Sequence, residues 1–348
     1  MNNTLHGAFV REGRMVAFPL SYPGASAPVP ADESLLQVLD TAADGTIYAG
    51  TGGRAAHLVA GLFAGVTGAV FDLGRFDDMQ RTVAIGCSDT ELIAWLDGEA
   101  GSRLVSRALE RLPYDLTQEG GFTPQPFTDL GDPTPGRRPV AAVRTPNRKW
   151  IVGATAQDGF RLNLESHELT QVPGISTAGA LGVTADGIVL GIRPDRSAWR
   201  YDPAGDVEIG ALELPEGSWD FGSWCFGRGS RGEARYLADC TGGLMAVGPK
   251  GSLEPVARAP RGPVTALAVS ADNRVFGTCG AQLESLFCFD PVTETIQDLG
   301  LIASVLQSRR YAWSLSDAVV GRDGEIIFAE QDDLGHLWLY FPRIVARR

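Results

Sequence analysis

The sequence predicts an all-β fold, a seven-bladed β-propeller closed by an N-terminal strand that completes the last blade. Three observations predict it. A strand phrase recurs seven times in 348 residues, its copies are spaced as propeller blades are, and helical periodicity is almost absent. The phrase is a turn containing Asp-Gly or its equivalent, a strand of apolar or β-branched residues, a polar loop and a second strand, often followed by a third ending in DLG.

The elements follow in chain order. GAFVREGRMVAFPL (7–20) is the strand assigned to closure. The first strand of the phrase then reads DGTIYAGT (44–51), RTVAIGC (81–87), RKWIVGA (148–154), DGIVLGI (186–192), ARYLADC (234–240), NRVFGTC (273–279) and DGEIIFAE (323–330). Its partners are AAHLVAG, TELIAWL, DGFRLNL, RSAWRYD, GGLMAVG, ESLFCFD and GHLWLYF. Apolar stretches such as LLQVLDTA (35–42), PVAAVRT (139–145) and PVTALAVSA (263–271) precede them and suit a buried inner strand; VFDLG, FTDLG and IQDLG supply an outer one. Each unit is thus a four-stranded antiparallel meander. From Ile47 to Ile327 the units repeat every 37 to 52 residues, except for one gap of 67 that contains the insertion LERLPYDLTQEGGFTPQPF. The blades fall at about 34–76, 78–131, 138–174, 175–216, 217–260, 262–300 and 311–345 with 7–20, all in one domain spanning 1–348. Residues 102–112 are the single stretch with a helix-like pattern.

The last unit, EIIFAEQDDLGHLWLYFPRI (325–344), lacks the outer strand of the unit before it. A bare hydrophobic edge invites aggregation, so pairing with residues 7–20 is expected to cover it. Six or eight blades, or two β-sandwiches, are the competing architectures.

Composition narrows the function classes. The formal charge of −12 argues against nucleic acid as a partner, because phosphate binding needs a dense basic surface. No apolar run is long enough to span a membrane, and the start MNNTLHGAFVREGRM lacks a basic region followed by an apolar one. A cytoplasmic location is expected. Five cysteines form no CxxC pair and read as reduced, buried thiols. The histidines, four in all, show no HxH or HxxE spacing, which disfavours zinc or manganese. No cofactor is expected; calcium at Asp77, Asp78, Asp332 and Asp333 is the exception kept open, against the plainer reading of solvated turn acids. GTGG (50–53) and CTGG (240–243) lead from strand to strand, not into a helix, and read as turns.

Propellers place ligands at one mouth of the central channel. The loops expected there carry Arg54, Arg75, Arg138, Arg193, Arg196, Arg261, Arg309 and Arg310, with Trp219, Trp224, Tyr311 and Trp313 close by in sequence. Guanidinium forks bind carboxylates and aromatic faces cover sugar rings, so the set suits a small acidic carbohydrate. The plainer alternative is that arginines populate any polar loop. His57 and His336 occupy the same place in their repeats, AHLV and GHLW, which suits a polar cap at a loop end or a group that moves protons in the mouth.

The composite pattern DGxIYxGT…HLxxxDP…DLG resembles propeller proteins that include seven-bladed, uronate-cleaving polysaccharide and oligosaccharide lyases. The resemblance covers almost the whole chain and rests on the blade consensus. It implies β-elimination at a uronic acid, in which arginine neutralises the carboxylate, a base removes the C5 proton and an acid protonates the departing O4. On this resemblance His57 or His336 is the proton shuttle and Tyr311 the second acid or base. Arg54, Arg193, Arg196 and Arg310, with Trp224 and Trp313, hold the substrate. The histidine-rich manganese site of oligogalacturonate lyases has no counterpart here. A calcium-dependent lactonase or esterase propeller is the alternative enzyme, although it wants Asn at inner-strand starts and the chain has five Asn in all. A non-catalytic propeller that binds a glycan or a protein is the third reading.

Overall fold

The computed structural model describes residues 6–10, 13–20, 29–64, 67–110, 112, 124–195, 197–205, 207–212, 214, 224–304 and 310–343. The chain is all-β and propeller-like, with 3-10 turns at Ala31–Glu33 and Pro249–Gly251 as its helical segments among these residues. The helix-like pattern at 102–112 lies instead largely in the strand Gly101–Ala108, whose residues pair with Glu91–Gly98. Tertiary pairing overrides the local pattern there.

Six antiparallel meanders follow one another. The first runs through Leu35–Thr41, Ile47–Gly52, Ala56–Ala64 and Thr67–Phe76, and the second through Arg81–Cys87, Glu91–Gly98, Gly101–Ala108 and Thr128–Gly131. The third comprises Pro139–Arg144, Trp150–Thr155, Gly159–Asn163 and Leu169–Val172; the fourth, Gly182–Val183, Val189–Ile192, Ala198–Asp202 and Val207–Leu212. Trp224–Arg228, Ala234–Asp239, Gly243–Val247 and Leu253–Arg258 form the fifth, and Val264–Val269, Val275–Cys279, Ser285–Asp290 and Thr295–Leu301 the sixth. The last sheet combines Leu315–Val320, Ile326–Glu330 and His336–Pro342 with two strands from the other end of the chain, Gly13–Pro19 and His6–Val10. Gly13 lies opposite Pro342 and Pro19 opposite His336, so the edge of His336–Pro342 is covered along its whole length.

Apolar side chains alternate along these strands and pack between successive sheets. Trp95 and Phe160 meet edge to face, 4.9 Å between ring centroids, in the layer joining the second and third meanders. Trp199 and Tyr201 pack with Val152 and Val183 in the next layer. Phe18, Leu39, Val59, Ile327 and Leu337 fill the layer between the last sheet and the first. Every aromatic named here except Phe18 is essentially inaccessible to water.

Candidate functional site: the axial cavity

The first strands of the meanders gather around a common cavity of about 320 Å³, at the small end of the ~300–1,000 Å³ typical of ligand pockets. Its lining draws on every meander, through Gln37 and Val38, Val83, Val140–Val143, Gly179–Leu181, Trp224–Phe226 with Arg228, Thr265–Leu267, and Ser316 with Asp317.

A repeated backbone device points side chains into this space. In five of the first strands the pairing skips one residue near the strand start: Gln37, Val83, Val140, Thr265 and Ser316. A β-bulge leaves its extra residue unpaired and re-aims its side chain. All five of these residues line the cavity. The three polar ones, Thr265, Ser316 and Gln37, come from the sixth, last and first sheets, whose inner strands are neighbours. The opposite arc is Val83, Val140, Leu181, Trp224 and Phe226. The cavity therefore has a hydrogen-bonding side and an apolar side.

Charged groups clasp Leu35–Thr41 beside the cavity, and two of them, Arg228 and Asp317, belong to its lining. Arg228 Nη2 donates to Asp317 Oδ1 at 2.5 Å and to the Ala318 carbonyl at 3.0 Å, while Nη1 reaches the Leu39 carbonyl at 3.3 Å. The Leu39 N–H in turn donates to Asp317 Oδ2 at 2.8 Å. Beside this pair, Arg144 makes a two-pronged contact with Asp40, at 2.6 and 2.9 Å, and Arg148 Nη2 donates to the Thr41 carbonyl. Burial pushes the Asp317 carboxyl above its ordinary value, and Arg228 opposes the shift without cancelling it. Burial likewise raises the Cys225 thiol, which keeps this wall residue protonated.

Behind the polar arc lies Glu284, 1 % exposed. Thr265 Oγ1 donates to its Oε2 at 2.5 Å and the Leu315 N–H to its Oε1 at 3.0 Å. Burial raises this carboxyl too, against the pull of both donors.

Among the described residues expected from the sequence, Trp224 alone lines the cavity. His57 is 2 % exposed and lies between two carboxylates, with Nε2 2.8 Å from Glu33 Oε2 and Nδ1 2.9 Å from Asp72 Oδ2. Arg54 and Arg75 converge on the same Glu33. Burial disfavours charge on the imidazole, but Asp72 and Glu33 outweigh it and raise its pKa; Arg75 foremost holds Glu33 down at about 2. His336, also buried, bonds Glu330 at 2.7 Å, an acid that also accepts from the Trp338 indole. These two histidines flank one seam, since Gly335 N donates to Ser34 Oγ, the neighbour of Glu33. The seam joins the last sheet to the first and lies apart from the cavity lining. Arg193 donates to the Gly174 carbonyl on an exposed turn. Tyr311 and Trp313 are 40 % and 47 % exposed. Arg310 is described in its backbone alone, and Arg196 lies outside the described residues.

Among the described residues no three His, Cys, Asp or Glu side chains gather as a metal site. Asp77 pairs with Arg75, Asp78 with Arg103, and Asp332 accepts the Leu334 N–H. No helix of the described residues is long and apolar enough to cross a membrane.

Gln37, Thr265, Ser316, Arg228 and Asp317 escaped the sequence reading. The apolar stretches that contain Gln37, Thr265, Ser316 and Asp317 were legible as inner strands, but a bulge leaves no residue signature in LLQVLDT or VTALAV, and the strand Trp224–Arg228 that carries Arg228 had no such stretch to mark it.

No protein-family model and no curated protein matches the chain. Similar solved structures include two of the extracellular domain of BT4673 from B. thetaiotaomicron, described as a putative hybrid two component system and as a putative one component system. Their TM-scores are both 0.54, with 12 % and 13 % identity over 89 % and 91 % of this chain. This chain spans 38 % and 39 % of the length of those two domains. A structural genomics protein of unknown function from Bacteroides thetaiotaomicron aligns with TM-score 0.50 and 11 % identity, over 94 % of this chain and 76 % of its own length. The likeness at this identity is one of fold, and it places the chain among all-β, propeller-like structures.

Proposed function

We propose that the protein is a seven-bladed β-propeller, each meander one blade, that binds a small acidic carbohydrate in its axial cavity. Support for the ring comes from the antiparallel pairing of Gly13–Pro19 with His336–Pro342 and from apolar layers between each sheet and the next, including the last and the first. The binding reading is carried by the bulged residues: Gln37, Thr265 and Ser316 offer hydrogen bonds on one arc while Val83, Val140 and Trp224 offer apolar surface on the other. A pyranose has hydroxyl edges and C–H faces and matches such a wall. Arg228 is the cation among the described lining residues, and it would face the carboxylate of a uronate.

Calorimetric titration with galacturonate, glucuronate and galactose tests this. Uronate binding is expected, weakened about fivefold or more by Thr265→Val or Ser316→Ala, the loss of about one hydrogen bond. No uronate binding, or binding indifferent to both substitutions, contradicts the assignment.

One observation favours lyase chemistry as a second reading: Asp317, whose carboxyl is raised, stands beside Arg228 in the cavity wall. In that reaction Asp317 takes the C5 proton, the C4–C5 double bond forms as the C4–O4 bond breaks, and Asp317 passes the proton on to the departing O4, which leaves as a hydroxyl. Uronate-ended oligosaccharides would then yield an ultraviolet-absorbing unsaturated product, lost in Asp317→Asn. Binding without product leaves the protein a carbohydrate-binding propeller.

A further inference from the structure

Three buried residues from separate segments are hydrogen-bonded together close to the cavity. Glu284 N donates to the Ala312 carbonyl, Ala312 N to the Ile302 carbonyl, and Ile302 N to the Glu284 carbonyl, at 3.3, 2.9 and 3.2 Å. All three point inward, with exposures of 1 %, 0 % and 0 %. The side chains next to them in sequence turn outward instead, from extended chain in each case except before Glu284, where Leu283 has φ 53°. Those neighbours are Leu283, Leu301, Tyr311 and Trp313, four of the six large apolar side chains that are exposed among the described residues.

The surface they form carries a cation at its edge. Arg261 donates to Ser285 Oγ, and Ser285 lies opposite Leu301 in the sheet. Its ion pair with Asp298 is long, 3.5 Å, and exposed on both sides, so a competing carboxylate gives up little by replacing it. Hydrogen bonds also link the patch to the wall of the axial cavity. Glu284, whose backbone ties the patch together, takes a hydrogen bond from the wall residue Thr265, and Leu315 N, two residues beyond Trp313, donates to the same carboxyl.

We propose that Leu283, Leu301, Tyr311 and Trp313, with Arg261 at their edge, form a saccharide platform beside the axial cavity, which takes the outlying sugar of an acidic oligosaccharide whose end occupies that cavity. The proposal rests on the cavity reading above. Its chemistry is separate: the indole and phenol rings cover a C–H face of the sugar, and Arg261 meets the carboxylate. The hydrogen-bonded link to the cavity wall, together with the basic edge, favours a uronate chain over a second copy of the protein as the occupant.

Titration of the full chain with galacturonate, trigalacturonate and maltotriose tests the proposal. Trigalacturonate is expected to bind about tenfold or more tighter than the monomer, and Trp313→Ala or Tyr311→Ala to remove about tenfold of that gain, one stacked ring, without changing monomer affinity. Arg261→Gln should bring trigalacturonate down towards maltotriose. All three side chains are substantially exposed, so thermal melts should show the variants folded. Monomer binding with no gain for the trimer, or a gain indifferent to these substitutions, overturns the platform and leaves the cavity reading intact. Absence of binding by both monomer and trimer overturns both. A dimer in sedimentation that Trp313→Ala dissolves, with trimer affinity unchanged, assigns the patch to self-association and overturns it as well.

Discussion

His57 has a carboxylate on each ring nitrogen, and a carboxylate only accepts. Both nitrogens must therefore donate, which makes the ring an imidazolium built into the fold. Its folded pKa is raised, so the stability it contributes is fully present below the unfolded value of about 6.5 and is lost as pH rises through the folded value. Glu33 works in the opposite sense: its contribution is present above its unfolded value and lost as pH falls through about 2. Urea unfolding of the wild type should accordingly weaken on the alkaline side, and His57→Gln should flatten that decline while costing about 3 kcal/mol near pH 6, as breaking a buried ion pair does. A His57→Gln protein with the wild-type alkaline slope contradicts the clamp. Glu284 gives a second test at this scale. Burial raises its pKa, so stability falls as pH climbs through its folded value. Glu284→Gln should remove that fall and gain relative to wild type at pH 8, whereas Thr265→Val, which takes a donor from the carboxyl, should cost about 1–3 kcal/mol.

At the scale of elements, the repeated strands were plain in the sequence because alternation, β-branching and turns of Asp-Gly or its equivalent recur along the chain. The bulges were not. Val140 and Thr265 sit in runs that read as uninterrupted strands, and it is the pairing of the second strand that singles them out. The two histidines illustrate the same limit: AHLV and GHLW show equivalent positions, yet the acids that engage them, Glu330 six residues from His336, and Asp72 and Glu33 15 and 24 residues from His57, become visible only once the folded chain sets them beside the rings. Gly335 belongs to this class too. Its amide bonds Ser34, its carbonyl takes the Leu20 N–H, and a Cβ there would stand 1.9 Å from the Ser34 carbonyl oxygen. Gly335→Ala should therefore cost about 1–3 kcal/mol by forcing the seam apart. Chemical denaturation measures it; a neutral result would mean that the two loops are not in contact.

For the whole molecule, the account depends on the two chain ends sharing one sheet, since that seam brings the first and last inner strands together at the cavity. Ala17 lies between His6 and Trp338 in that sheet. Ala17→Pro removes a strand N–H and is expected to cost about 3 kcal/mol, with faster hydrogen exchange concentrated in residues 336–342. Unchanged protection there would detach the N-terminal strand from the role given to it. Legibility of the architecture came from periodicity, a local signal repeated around the molecule. The site was illegible because side chains from every sheet converge there from positions as far apart as Gln37 and Asp317.

The most direct test is a crystal structure of the full chain soaked with galacturonate. The account predicts density for one sugar ring in the axial cavity, its hydroxyls on Gln37, Thr265 and Ser316, its C–H face toward Val83, Val140 and Trp224, and its carboxylate on Arg228. An empty cavity with the sugar bound at the His57–His336 seam, or bound nowhere, would contradict it.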